Sequence, residues 1–208
     1  RPAEALAQVA IIRAALGAPH MASAPNIKSS HEIHPPVSAM RHGEEAIEDQ
    51  QQLTKRLRQA LVSVGLAASV GVSVHGALVA GMIPLLSGPS SIEALEQYAN
   101  VTVGGRMIRI NVPPTALEPA DLLGRMDIQS GRFVPHPSAL LDLLIFASQP
   151  QHHDQLFLVV LDGMNRAAAD AYLLPLMACY RTAWHEEDRQ MLSIAHPSTF
   201  APGDVYAT

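Results

Sequence analysis

A chain of 208 residues with 48% hydrophobic, 16% charged and only 4% aromatic side chains is long enough for a buried core, built mostly from aliphatic residues and alanine. A net charge of −5 argues against the basic footprint that wrapping nucleic acid requires, and the single cysteine, Cys179, excludes an internal disulfide framework. One thiol suits a reducing, cytoplasmic setting, where its expected role is that of a small buried apolar side chain.

Residues 1–17 carry Leu6, Val9, Ala10 and Leu16 at helical spacing, which predicts a helix ended by Gly17 with Pro19 beyond it. The segment lacks the unbroken apolar run of a signal peptide. Composition then shifts to proline, serine and histidine (Pro19, Pro25, Ser29, Ser30, Pro35, Pro36), so residues 1–42 are expected to be a helix and a linker outside the folded core. His31 and His34 have no acidic or thiol neighbour in sequence and are read as solvated loop residues.

From Glu44 to about Gly65 a second helix is expected, with Leu53, Leu57, Ala60, Leu61 and Val64 on one stripe. The stretch Leu61 to Leu86 has His75 as its only ionisable group and reaches the ~20 residues of a membrane span. Its content of Gly65, Gly71, Gly76, Gly81, Pro84 and serines, with few large apolar side chains, favours a buried helix over Val72 to Val79 running into a buried strand over Met82 to Leu86. Next come a helix over Ser91 to Ala99, a strand over Arg106 to Val112 and a long irregular stretch from Pro113 to Pro137. Ser138 is placed to cap a helix over 139–148, and Leu156 to Leu161 is an unbroken apolar strand ending at Asp162. A helix over Ala167 to Tyr180 follows, which Pro175 should kink or divide, and Met191 to Ala195 reads as a last strand after the charged turn His185 to Arg189. The alternation predicts an α/β fold over residues 43–208, with a mostly parallel sheet covered by helices on both faces.

Two segments carry the chemistry. In each, an apolar strand delivers polar or glycine residues into a loop that opens a helix: Gly88, Pro89, Ser90 and Ser91 in the first, Asp162, Asn165 and Arg166 in the second. In open α/β sheets that edge is where ligands bind, and an aspartate there would hold magnesium through water if a phosphate site lay beside it. The same residues also fit ordinary turns, with Ser90 or Ser91 as an N-cap, Asn165 capping the next helix and Arg166 pairing with a surface carboxylate. His152-His153-Asp154 lies in a Pro/Gln-rich loop where adjacent side chains diverge, and nothing in their spacing brings Asp121 and Asp142 face to face.

Together the two segments resemble the Walker A and Walker B regions of AAA+ ATPases of the dynein-related, MoxR/McrB-like branch. In that branch the first loop ends a hydrophobic strand with Gly-Pro, and the second reads Asp-Glu-x-Asn-Arg-Ala. Asp162, Asn165, Arg166 and Ala167 match the second pattern, and Asp121-Leu122-Leu123-Gly124 followed by Gly131-Arg132-Phe133 resembles the segment between them, where the branch carries a β-hairpin insertion before a helix. The resemblance spans roughly residues 60–180. It implies a P-loop sheet sandwiched by helices, with a sensor strand, arginine finger and helical lid beyond Thr208. It also implies ring-like association, with itself or with an AAA+ paralogue, inside a larger restriction or protein-remodelling machine.

The departures matter as much as the match. A phosphate loop of the form G-x-x-x-x-G-K-S/T needs its second glycine, its lysine and its hydroxyl, and here those positions hold Glu93, Ala94 and Leu95. The water-activating glutamate of the second motif is Gly163. Phosphate neutralisation, a protein ligand for magnesium and water activation are lost together, which predicts a non-hydrolysing scaffold with no catalytic residue, cofactor or metal. Gly88, Pro89, Ser90, Ser91, Asp162, Asn165 and Arg166 would then be a vestigial nucleotide site. The competing expectation is an active or partner-completed ATPase or GTPase that uses ATP or GTP with magnesium, with Arg166 or Arg181 reaching a neighbouring phosphate.

Overall fold

The computed structural model describes residues 49–152, 154–182 and 192–200 together with residue 47 and the strand 6–12, with 6–12, 180–182 and 197 described as backbone alone. Among these residues the chain forms two compact units.

The first unit begins in the N-terminal stretch. Leu6–Ile12 is a strand, β1, within the stretch expected to be helical. Its alanine, leucine and valine residues satisfy a helical spacing, but both of its edges find strand partners, and ladder hydrogen bonds to two neighbours override a weak local preference. The linker at 18–42, with His31 and His34, lies outside the described residues.

Helix α1, Gln50–Ser63, starts where the Asp49 carboxylate accepts a hydrogen bond from the Gln52 amide at 2.6 Å. Helix α2, Ala68–Val79, contains no charged residue and packs against α1 across Gly71, where a Cβ would come within 2.6 Å of Leu61 Cδ1. Strand β2, Leu85–Ser87, leads into helix α3, Ser91–Thr102, and strand β3, Met107–Asn111, follows. The last strand of this unit is β6, Phe157–Asp162. Leu57, Val74, Leu78, Leu95, Tyr98 and Val103 of the helical layer close over Leu158 and Val160 of β6, while Phe157, Val159 and Leu161 on its other face are also buried.

The sheet order is β2-β1-β6-β3. β3 runs parallel to β6, whereas β1 is antiparallel to both β2 and β6. Three strands therefore share one direction, and the strand at 6–12 runs against them. The fold is mixed α/β with a small parallel component.

His75 and Tyr98 meet inside the helical layer, with Nδ1 and the phenol oxygen 3.1 Å apart. Burial lowers the imidazole pKa from its usual 6.5 and pushes the phenol up to about 12. A histidine depressed in the folded state binds its proton more readily when unfolded, so stability should be level above pH 6.5 and fall as the pH drops below it. Thermal melts between pH 7.5 and pH 5 are expected to show a modest fall that is flattened in His75→Gln; an equal fall in that variant would remove His75 as its source.

The second unit contains α4, Ala120–Leu123, strands β4, Gly124–Asp127, and β5, Arg132–Pro135, and helices α5, Leu140–Ser148, and α6, Ala169–Thr182. β4 and β5 form an antiparallel hairpin in the stretch read as irregular. Asp127 closes its turn by accepting from the amides of Gln129 and Ser130, with Gly131 at φ +65. Ala139, at φ 58, takes the cap position of α5 in place of Ser138, whose Oγ still accepts from the Leu140 amide at 3.4 Å while its hydroxyl donates to the Leu122 carbonyl at 2.8 Å. α6 continues through Pro175 rather than dividing. Residues 192–195 form no strand, contrary to expectation, while Met191 and the turn at 185–189 lie outside the described residues. No described helix is long and apolar enough to cross a membrane.

Candidate functional site

All seven residues singled out from the sequence belong to the first unit. The first segment leaves β2 at Ser87, turns at Gly88 and enters α3 at Ser91. Gly88 has φ +124, a backbone conformation open to glycine and costly for other residues. Its carbonyl accepts from the Ser91 hydroxyl at 2.9 Å and from the Ser91 amide at 3.3 Å, which draws the turn closed. Ser90 occupies the cap position without a side-chain cap bond.

A phosphate loop keeps its backbone N–H groups unwound between the strand and the conserved lysine so that they can point at oxygen atoms. Here α3 has already begun at Ser91, so Glu93, Ala94 and Leu95 are helical. Glu93 is exposed, while Ala94 and Leu95 are 4% and 0% exposed. Leu95 belongs to the core with Leu57, Val74 and Leu158. The positions where the lysine and hydroxyl would stand therefore serve packing.

The second segment leaves β6 at Asp162, whose side chain is 17% exposed. Arg109 of the neighbouring strand β3 is paired with it: Nε donates to Asp162 Oδ2 at 2.9 Å, and a terminal guanidinium nitrogen donates to the same oxygen. The backbone carbonyl of Asp162 accepts from the Val112 amide at 2.8 Å, so the ends of β6 and β3 are tied by both main chain and side chain. Arg109 was not among the residues picked out from the sequence. Its only signal there is a lone cation in an otherwise uncharged strand, Met107-Ile108-Arg109-Ile110-Asn111, and the parallel register that delivers it to Asp162 cannot be read from one sequence.

Gly163 sits at φ +69 and opens a short 3₁₀ turn, Met164–Arg166, closed by the Arg166 amide donating to the Gly163 carbonyl at 2.8 Å. The Arg166 side chain lies over Gly163, and a Cβ built on that glycine would meet Arg166 Nε at 2.9 Å and Cδ at 3.1 Å. The glycine thus has a conformational reason to be there that is independent of catalysis. Asn165 and Arg166 are exposed, and neither makes a hydrogen bond through its side chain to another described residue. The side chain of Arg181 lies outside the described residues.

The two segments reach the same edge of the sheet without being neighbours. Leu6 of β1 pairs with Ser87, and Ala7 pairs with Asp162, so one strand stands between the glycine turn and the aspartate. Two strand spacings amount to about 9.5 Å.

The other candidates resolve into structural roles. Asp121 accepts from the amides of Leu117 and Glu118 and pairs with Arg125, which fixes the start of α4. His152 stacks on Phe146 with ring centroids 3.9 Å apart, and His153 lies outside the described residues. Among the described residues no three His, Cys, Asp or Glu side chains gather in a metal-binding group. Compared with protein-family models, with curated proteins and with solved structures, the chain matches none.

Proposed function

We propose that this chain is a degenerate P-loop domain, AAA+-like in the arrangement of its two motifs, that serves as a non-hydrolysing assembly subunit. The observation that carries the reading is at α3. A strand-turn-helix of the right order is kept, while the residues of a phosphate grip are replaced by a helix that starts early and by Ala94 and Leu95 buried in the core. Asp162, the one polar residue retained at the end of the second strand, is paired with Arg109. Self-association, or association with a related AAA+ subunit, is the task left to such a domain once nucleotide chemistry is removed.

Calorimetric titration with ATP and GTP in the presence of magnesium, a phosphate-release assay and a sizing column test this reading together. The expected result is no turnover and a defined oligomer at tens of micromolar protein. Micromolar nucleotide binding accompanied by turnover would favour the partner-independent enzyme and defeat the proposal.

A further inference from the structure

We infer that Arg109 is a resident cation at the end of β6, which takes the carboxylate of Asp162 that a magnesium ion would otherwise need and makes this edge of the sheet indifferent to divalent metal. The inference rests on the reading of the edge as a former nucleotide site, because only there would a metal be expected.

With Arg109 on Asp162, the donor set does not fit magnesium. A magnesium ion takes oxygen ligands in near-ideal octahedral geometry and is usually held by one or two carboxylates together with substrate phosphates. Asp162 Oδ2 already accepts two hydrogen bonds from one guanidinium fork. A charge-assisted contact of this kind is stronger than a neutral one, and the fork is less strongly hydrated than an ammonium ion. Among the described residues Asp162 belongs to no group of three or more His, Cys, Asp or Glu side chains that could hold a metal. The position next along the chain is Gly163, which has no side chain to donate, and the stem of Arg166 covers it with a second positive charge. A dication arriving at Asp162 would have to displace one guanidinium and sit near another.

The arrangement also accounts for the survival of Asp162 after its partners in nucleotide chemistry were replaced. A carboxylate this little exposed is costly to leave without a counter-charge, and the half-exposed Arg109 on the neighbouring strand supplies one. The sheet edge then keeps its shape whether or not nucleotide or metal is present, as a constitutive scaffold requires.

Manganese serves as the probe, with its free-ion paramagnetic resonance signal read on the full chain and melting temperature recorded beside it. Wild type and Arg109→Lys should leave the signal unchanged at millimolar manganese. Arg109→Gln should melt about 2–4 °C lower, the loss expected for a partly exposed ion pair, and should bind manganese. The double variant Arg109→Gln with Asp162→Asn should lose that binding. Manganese bound by the wild type and lost in Asp162→Asn would overturn the inference, as would an Arg109→Gln chain that binds none. Either failure leaves the turnover test of the assembly reading untouched, and turnover in that test would leave the metal result standing.

Discussion

A chain carrying Ala94→Lys and Leu95→Ser is expected to unfold before it binds ATP. These two changes rebuild the lysine and the hydroxyl of a phosphate loop, and in an intact loop they would be the shortest route to restored binding. Here they enter the core. Truncating a fully buried leucine costs about 2–5 kcal/mol, and the added hydroxyl needs a partner that the apolar cluster around Leu95 does not supply. A lysine at Ala94 must either bury its ammonium or push the start of α3 away from its neighbours, at a cost of several more kcal/mol. The sum is comparable with the whole stability of an ordinary domain, about 5–15 kcal/mol. Circular dichroism melts of the double variant should show the folded signal lost at or below room temperature. A variant that melts within about 5 °C of the wild type would mean that Leu95 is not the packing residue described here.

The second large effect is expected at Gly124. Replacing it by alanine should cost about 4 kcal/mol and move the urea midpoint sharply downward. Gly124 ends α4 with φ +135, ψ 164, a region that essentially only glycine occupies. A Cβ there would lie 2.6 Å from the Val134 carbonyl oxygen and 2.7 Å from Pro135 Cα, both backbone atoms of β5, and 2.6 Å from the Phe133 ring. Backbone cannot swing aside as a side-chain tip can, so strain and overpacking add. Gly131→Ala is the control: its φ of +65 is also positive, but nothing stands within 4 Å, so only the smaller left-handed penalty of about 1–2 kcal/mol applies. Equal losses in the two variants would rule out the close approach as the cause.

Gly124 also shows how a motif can be legible while its meaning is not. Asp121-Leu122-Leu123-Gly124 stood out as part of a family resemblance, and the hairpin implied by that resemblance is present as β4 and β5. Each of its residues now has a local mechanical reason: the Asp121 carboxylate holds two amides, Leu122 and Leu123 are buried, and Gly124 makes the bend. None of those reasons is chemical, and residues of the same type at the same spacing would look alike in sequence under either role.

The helices α1, α2 and α3 and the strands β3 and β6 were legible because their apolar spacing and their burial agree. β1 was not. Leu6, Val9 and Ala10 satisfy a helical stripe, and only the open edges of β2 and β6, far along the chain, make an extended conformation preferable. At the candidate site, the turn at Gly88 and the strand end at Asp162 were read correctly as positions. Their separation by β1 and the capture of Asp162 by Arg109 depend on pairings between distant segments, which periodicity does not encode. Gly163 was read as a missing catalytic acid, yet its positive φ and the Arg166 stem above it would exclude a relaxed glutamate there in any case.

The place of β1 sets the order in which this sheet can be completed. Its partners on β6 lie about 150 residues along the chain, and among the described strands β2 joins the sheet only through β1. During synthesis residues 6–12 must wait for nearly the whole of the first unit before the centre of the sheet can close. Until then β2 and β6 each present an unpaired edge. Such long-range pairing is slow and open to association between chains, so the step that finishes this fold is also the one most exposed to crowding by its own copies.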